Sequence, residues 1–473
     1  MTILPIKPAD DASPEALRSF LAICQAKAAA DGAPVLASIS LVVPALDPLA
    51  VLEAIFDPAQ PHFFAEHPSA GSALAGAEVA LSLDAHGPDR FAAVQRFMDE
   101  TLARTIAVGD VNAPFGGPHF FATFAFHDDV EPGEAFPAAR VFVPRWQVSR
   151  AGEVTTAVAN LVVEVDSDLD ALARRVWRAH GRFARFEPVA QDTPGELDSA
   201  PLRFAQAEAG DYRAAVARAL ELIEAGDFQK IVLARALDLK ANQALHPLTV
   251  LNGLRQRFPD CYAFSAATGA GQSFIGASPE RLVRVSQGRV ETEALAGSAR
   301  RGAGANEDAA LAAGLLRSEK DQREHRHVIE SIHRRVRPLG VELEHPSAPA
   351  IRKLANVQHL HTPMQGPLPA GVRLLDLLAV LHPTPAVGGT PREAALARIR
   401  ELEGFPRGLY AGALGWLNSR GGGEFLVGLR SALVKGDRAR VYAGAGIVQG
   451  SEPEREWAET ELKFQALLAA LRG

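Results

Sequence analysis

Apolar positions recur with two different periods along the chain, and the period changes mark its elements. To about residue 190, strand-like and helix-like pieces alternate. VLASISLVV, GGPHFFATFAF and ARVFVPRWQVSR predict strands, and DRFAAVQRFMDETLARTI predicts a helix. VAQDTPGELDSAP, around residues 189–201, is polar with prolines and a glycine and reads as a connector. From about residue 210 the pattern sharpens. DYRAAVARALELIEAG predicts an amphipathic helix ending at Gly226, and FQKIVLARALDL a strand apolar on both faces. CYAFSAAT, QSFIGA, RLVRV and RVETEAL predict short strands separated by TGAG, SPE and SQG turns.

A long helix is expected through LRSEKDQREHRHVIESIHRRV. A second begins at Thr390–Pro391–Arg392–Glu393, with capping-box spacing and an early proline. YAGALGWL, EFLVGLRSALV and ARVYAGAG, joined by NSRGGG and KGDR, read as an antiparallel meander. A final helix starts at Ser451–Glu452–Pro453–Glu454. Strand runs joined by tight turns, with helices set apart, place the chain in the α+β class. Residues 1–205 read as a variable N-terminal portion and 206–473 as the region that carries chemistry.

Composition narrows the function classes. The 473 residues are 47% hydrophobic and 22% charged, with a net charge of -7. That balance gives no footprint for nucleic acid or an anionic membrane, but it leaves room for a small anionic ligand in a local basic pocket. Two cysteines, Cys24 and Cys261, make no disulfide framework and fit a reducing cytoplasm. No signal peptide is expected from the first fifteen residues, and no apolar run reaches the roughly 18 residues of a membrane span.

Charged residues stand where apolar ones are expected. Asp321 and Glu324 share a helical stripe with Val328 and Ile332, and buried carboxylates need a cation or a metal. Without histidine and cysteine at zinc spacing, a hard cation, Mg²⁺, suits them; an ion pair with arginine is the alternative. Glu456, Glu459 and Lys463 share one face of the final helix, for which a solvated face is the commoner meaning. Lys230 lies on the strand face of Phe228, Val232 and Ala234, where desolvation would suit it to act as a base; a lysine paired to a core carboxylate fits as well. Arg430 shares a strand face with Leu426 and Gly428 and calls for a carboxylate, from Glu324, Glu459 or a substrate. Leu295–Ala296–Gly297–Ser298 reads as a strand-to-loop turn, with an anion nest as a further possibility. AGAGIV and GAGQ lack the strand–glycine–helix context of nucleotide sites. Together these residues suit a small polyanion bound partly through a divalent cation.

FQKIVLAR, IGASPERLV, ALAGSARRG, EKDQREH, LHPTPAVGGTP, GALGW, GEFLVGLRSA and AGAGIVQGSEPEREWAET follow one another in order over residues 210–473. In this the chain resembles the chorismate-utilising enzymes, which include anthranilate, aminodeoxychorismate, isochorismate and salicylate synthases. The resemblance implies two large, mainly antiparallel sheets packed face to face, with helices outside and an active site between them. HFFATFAF and FVPRW resemble the menaquinone- or phylloquinone-type isochorismate synthases.

The resemblance also implies roles. Glu324 and Glu459 match the Mg²⁺ ligands, with Asp321 and Glu456 behind them. Gly297 and Ser298 match the backbone that meets the ring carboxylate, and Arg430 and Tyr442 the positions that hold the enolpyruvyl carboxylate. His359, Gly446 and Lys463 match other pocket positions. Lys230 stands where water-adding members have their base and ammonia-using members usually have glutamine, and Glu280 matches the general acid. Ala296 replaces the nucleophilic lysine of aminodeoxychorismate synthases, and Ala386 replaces a threonine found in salicylate synthases. The serine-containing motif that binds tryptophan in feedback-regulated anthranilate synthases is not evident. The implied activity is isochorismate synthase, a monomer acting on chorismate without a glutaminase subunit. Salicylate synthase is the closest alternative and anthranilate synthase a more distant one.

Overall fold

The Ala139–Ala151 strand is the branch point of the architecture. In a computed structural model that describes residues 1–4, 13–184, 202–355 and 357–472, it pairs along its length with Ser72–Ala85. Its other edge is shared by His119–Phe124 at one end and Val154–Val163 at the other. Two arms leave this strand. The first runs through His119–Phe124, Ala413–Asn418, Gly423–Val427, Arg281–Ser286, Arg289–Arg300 and Val357–Pro367. The second runs through Ser72–Ala85, Pro61–His67, Tyr262–Thr268, Ser273–Ser278, Ser431–Lys435 and Arg438–Val448 to Lys230–Ala241. Among the described residues, only the ladders of Thr105–Gly109 are parallel. The connector at residues 189–201 lies outside the described residues.

The arms face each other across an apolar core. Phe63 of the second arm stacks on Phe121 of the first, with centroids 4.8 Å apart. Phe264 and Phe274 share a buried cluster with Leu414 and Phe425. Alternation along each strand supplies these inward side chains, as in packed antiparallel sheets generally. The expected α+β architecture holds, with its two sheets joined through the branch strand.

Two segments read as simple turns or strands are instead crossings between the arms. TGAG, SQG, NSRGGG and KGDR close hairpins. SPE does not: it links Ser273–Ser278 in one arm to Arg281–Ser286 in the other. EFLVGLRSALV is likewise split into Gly423–Val427 and Ser431–Lys435. Arg430 therefore shares no strand face with Leu426; it lies in the crossing, with φ 47°. Positive φ is uncommon for a residue other than glycine. It is held here by the Ala277 N–H, which donates to the Arg430 carbonyl at 3.1 Å.

Other expectations need correction. The LAGS segment is not a turn. The Arg289–Arg300 strand continues through it with a bulge at Gly297, φ +74°, which re-aims the backbone. The capping box at Thr390 does not form, because Thr390 is paired in a ladder with Lys230. The helix nevertheless runs Arg392–Glu403. AGAGIV lies inside the Arg438–Val448 strand and GAGQ in a hairpin turn, consistent with neither binding nucleotide.

Two helices complete the frame. Glu319–Val336 starts where the Ser318 hydroxyl accepts from the Asp321 N–H, and it buries His325, Val328, Ile332 and Val336 against Arg289–Arg300. Pro453–Arg472 packs on Arg438–Val448 through Phe464, Leu467 and Leu471.

Candidate active site

Between the arms lies a cavity of about 160 Å³. Lys230, Glu280, Gly297, Ser298, Glu324, His359, Ala386, Arg430, Tyr442, Gly446, Glu459 and Lys463 all line it. Asp321 and Glu456 stand behind: a Cβ on Gly297 would lie 3.3 Å from Asp321 Oδ1, and Glu456 feels the charge of Glu459. The placement follows from the fold. The two arm crossings bring Glu280 and Arg430, the bulge brings Gly297, and the two helices bring the carboxylates. A larger cavity of about 1030 Å³, lined by Glu66, Tyr262, Arg281, Trp416 and Arg420, contains none of these residues.

Lysines cap both cavity carboxylates. Lys230 Nζ donates to Glu324 Oε1 at 2.7 Å, and Lys463 Nζ to Glu459 Oε1 at 2.7 Å. Lys463 also donates to the Gly444 carbonyl at 2.7 Å. Burial alone would raise the Glu324 pKa, but Lys230 holds it below the ordinary carboxylate value. Glu456 is raised, by burial and then by Glu459. Gly446 leaves room for the lysine: a Cβ there would lie 3.0 Å from Lys230 Cε. Neither Glu324 nor Glu459 partners Arg430, contrary to one expectation. Among the described residues the guanidinium meets only Cys261 Sγ, at 4.0 Å, and so remains open to an anion.

Glu280 is 6% exposed, and its carboxyl makes no hydrogen bond to the described residues. Burial first, and the nearby charge of Glu293 second, push its pKa up to about 8, against the pull of Arg352 and Lys230. It is therefore protonated at neutral pH, as a general acid must be. Burial and the positive charges of Arg430 and Lys463 lower His359 to about 3, so its ring is neutral. Its Nδ1 meets Ser298 Oγ at 2.9 Å, while Nε2 is buried without a partner.

The donor set suits a hard divalent cation. Among the described residues no three His, Cys, Asp or Glu side chains cluster as a complete metal cage. Mg²⁺ needs none, since it commonly takes one or two carboxylates with water and substrate oxygens. Glu324 and Glu459, both lining the cavity, are carboxylates of the kind such a cation would take.

Two lining residues escaped the sequence reading. Arg407 is 2% exposed and pairs with Glu403 through Nε at 2.9 Å; it also donates to the carbonyls of Val387 and Val232. Tyr410 stacks on Tyr442 with centroids 5.0 Å apart. Glu403 and Arg407 are four residues apart, but the helix ends at Gly404, so no helical spacing signalled the pair.

An inter-sheet cavity combining an amine, a protonated carboxyl, a free guanidinium and two carboxylates defines an enzyme for a small polyanion. Residues 21–472 match the family described as chorismate binding enzyme, and the chain belongs to that family. It is 38% identical over 442 residues to the salicylate biosynthesis isochorismate synthase of Pseudomonas aeruginosa, spanning 93% of this chain and 90% of that protein. It is 35% identical over 360 residues to isochorismate synthase MenF of Bacillus subtilis, spanning 76% and 75%. The solved structure of MenF, the menaquinone-specific isochorismate synthase from Escherichia coli, superposes with a TM-score of 0.77 at 27% identity, covering 95% of this chain and 99% of that one. No helix among the described residues is long and apolar enough to cross a membrane.

Proposed function

We propose that this chain is an isochorismate synthase, an isomerase that converts chorismate to isochorismate with Mg²⁺. The observation that carries the reading is the meeting of Lys230 and a protonated Glu280 in one cavity. In this mechanism Arg430, with Tyr442 beside it, binds the enolpyruvyl carboxylate, and the Gly297–Ser298 backbone meets the ring carboxylate. Lys230, released from Glu324, is the base that takes a proton from water, whose oxygen bonds to ring carbon 2. The ring double bonds shift, the bond from carbon 4 to its hydroxyl breaks, and Glu280 protonates the departing oxygen, which leaves as water. Held by Glu324 and Glu459, Mg²⁺ would neutralise the ring carboxylate. The rigid sheets hold acid and base in place, which is the larger part of such catalysis.

Lysine at position 230 selects water over ammonia, so the proposed enzyme needs no glutaminase partner. The test is incubation of the purified protein with chorismate and Mg²⁺, products being resolved by chromatography. Isochorismate alone, independent of ammonia, is expected. Salicylate with pyruvate would replace this reading with salicylate synthase, and no product would refute the assignment of Lys230.

A further inference from the structure

Behind the Glu280 crossing lies a carboxylate that the proposed mechanism does not use. Glu293, on the Arg289–Arg300 strand, is 8% exposed. Its Oε1 accepts the backbone N–H of Arg281, the residue next to Glu280, at 2.8 Å. Its Oε2 meets His361 Nε2 at 2.8 Å, and Arg352 Nη1 reaches both oxygens at 3.1 Å. The Arg281 side chain turns away, to Glu291 and Glu424. A carboxylate kept ionised by three donors thus lies behind the cavity, and it grips the peptide that carries Glu280.

We propose that Glu293 is the positioning residue for Glu280: it fixes the backbone of the crossing and sets a negative charge against the Glu280 carboxyl. The proposal rests on the reading of Glu280 as general acid. Ionised donors and acceptors make strong hydrogen bonds, so the Arg281 N–H is held firmly. A like charge nearby favours the neutral acid. Burial alone would raise the Glu293 pKa, but His361, Arg352 and the Arg281 N–H hold it below the ordinary carboxylate value. Glu293 therefore stays charged while Glu280 keeps its proton. The other charged or titratable groups around Glu280 are Arg352 on Ala350–Lys353 and Lys230 on Lys230–Ala241; lining the same cavity are Arg430 in the second crossing, His359 on Val357–Pro367, Glu324 on Glu319–Val336, Glu459 and Lys463 on Pro453–Arg472, Tyr442 on Arg438–Val448, and Arg407 and Tyr410. Arg352 and Lys230 oppose Glu293, so Glu293 and Arg352, paired behind the cavity, act on Glu280 with opposite sign.

The experiment is the pH profile of kcat/KM for Glu293→Gln and Arg352→Gln, with chorismate and Mg²⁺. Glutamine keeps an acceptor for the Arg281 N–H but removes the charge. Its alkaline limb should move to lower pH by about one unit, with KM nearly unchanged. Arg352→Gln should move the limb to higher pH, and Glu293→Asp should restore it toward the parent. A merely structural role would lower stability and leave both limbs in place, and that result would overturn the proposal. Should Glu293→Gln not fold, the Arg352→Gln limb decides: an upward shift supports the proposal and an unmoved limb overturns it. Glu280→Gln separates the two readings. If it keeps parental activity and limb, the general-acid assignment fails; if it is inactive while the Glu293 and Arg352 limbs stand still, only the positioning role fails.

Discussion

Replacing Glu403 by alanine should destabilise the protein severely. Glu403 and Arg407 have side-chain exposures of 0% and 1%. The carboxylate takes the Arg407 guanidinium through Nε and Nη2, and it also accepts the Ala234 N–H at 2.6 Å. The alanine variant leaves an unpaired guanidinium in the core, which costs about 3–5 kcal/mol. It also leaves a buried amide without an acceptor, at about 1–3 kcal/mol. These losses overlap, and a net cost of about 4–6 kcal/mol is expected against a typical total stability of 5–15 kcal/mol. Urea unfolding followed by circular dichroism measures it. Glu403→Leu combined with Arg407→Met removes both charges and should recover stability to within about 1–2 kcal/mol of the parent. Yet this double variant should lose activity. Arg407 braces the carbonyls of Val232, two residues from Lys230, and Val387, next to Ala386. A single variant costing less than about 1 kcal/mol, or a double variant no better than the single, would refute the reasoning.

Activity should fall as pH rises above about 8, where Glu280 loses its proton, and a profile flat to pH 9.5 would count against it as the acid. The same group links stability to pH. Its folded pKa lies above the ordinary 4.5, so the folded state binds more protons, and stability falls as pH rises from about 4.5 to about 8; Glu280→Gln should remove this slope in thermal melts. Gly297→Ala should cost about 1–2 kcal/mol for its positive φ and lower kcat by pressing on Asp321, whose Cβ would lie 3.1 Å away; activity equal to the parent would show that the bulge tolerates a side chain. Glu459→Gln should raise the Mg²⁺ concentration needed for half-maximal turnover, and an unchanged requirement would remove Glu459 as a ligand.

What could be read from the sequence was local. The run FQKIVLARALDL, apolar on both faces, marked the strand now seen as Lys230–Ala241, and Lys230 within it stood out for its charge. The stripe shared by Glu324, Val328 and Ile332 put that carboxylate on the packed face of its helix. What escaped was non-local. EFLVGLRSALV alternates well enough to pass for one strand, because nothing in a single strand's period shows which sheet each half joins. The crossing at Gly428–Arg430 exists only once both arms are present. Glu403 and Arg407 are separated by a helix end and a proline, so each looked like an ordinary surface charge. Glu293 sat in a strand two residues from Glu291, and only the fold shows that Glu291 is half-exposed in a pair with Arg281 while Glu293 is buried and clamped by three donors. Among the first elements, the Pro14–Asp31 helix was missed; its buried face, Phe20, Leu21, Cys24 and Ala28, is diluted by a run of alanines that carries little periodic contrast.

The ladder that joins Lys230 to Val448 has a consequence for synthesis of the chain. The strand bearing the amine is made first, and its principal neighbour, Arg438–Val448, leaves the ribosome only long after it. Until then Lys230–Ala241 presents an apolar, unpaired edge, the kind of surface that invites intermolecular pairing. Phe204–Ala209 and Gly389–Thr390 pair on its other edge, at Ala236–Ala241 and at Lys230–Ile231, so neither covers the edge that Arg438–Val448 takes. Closure across so long a stretch of chain is slow. Messages truncated before residue 438 should therefore yield aggregates rather than weak enzyme, and overexpression at low temperature, where apolar association weakens, should favour soluble product.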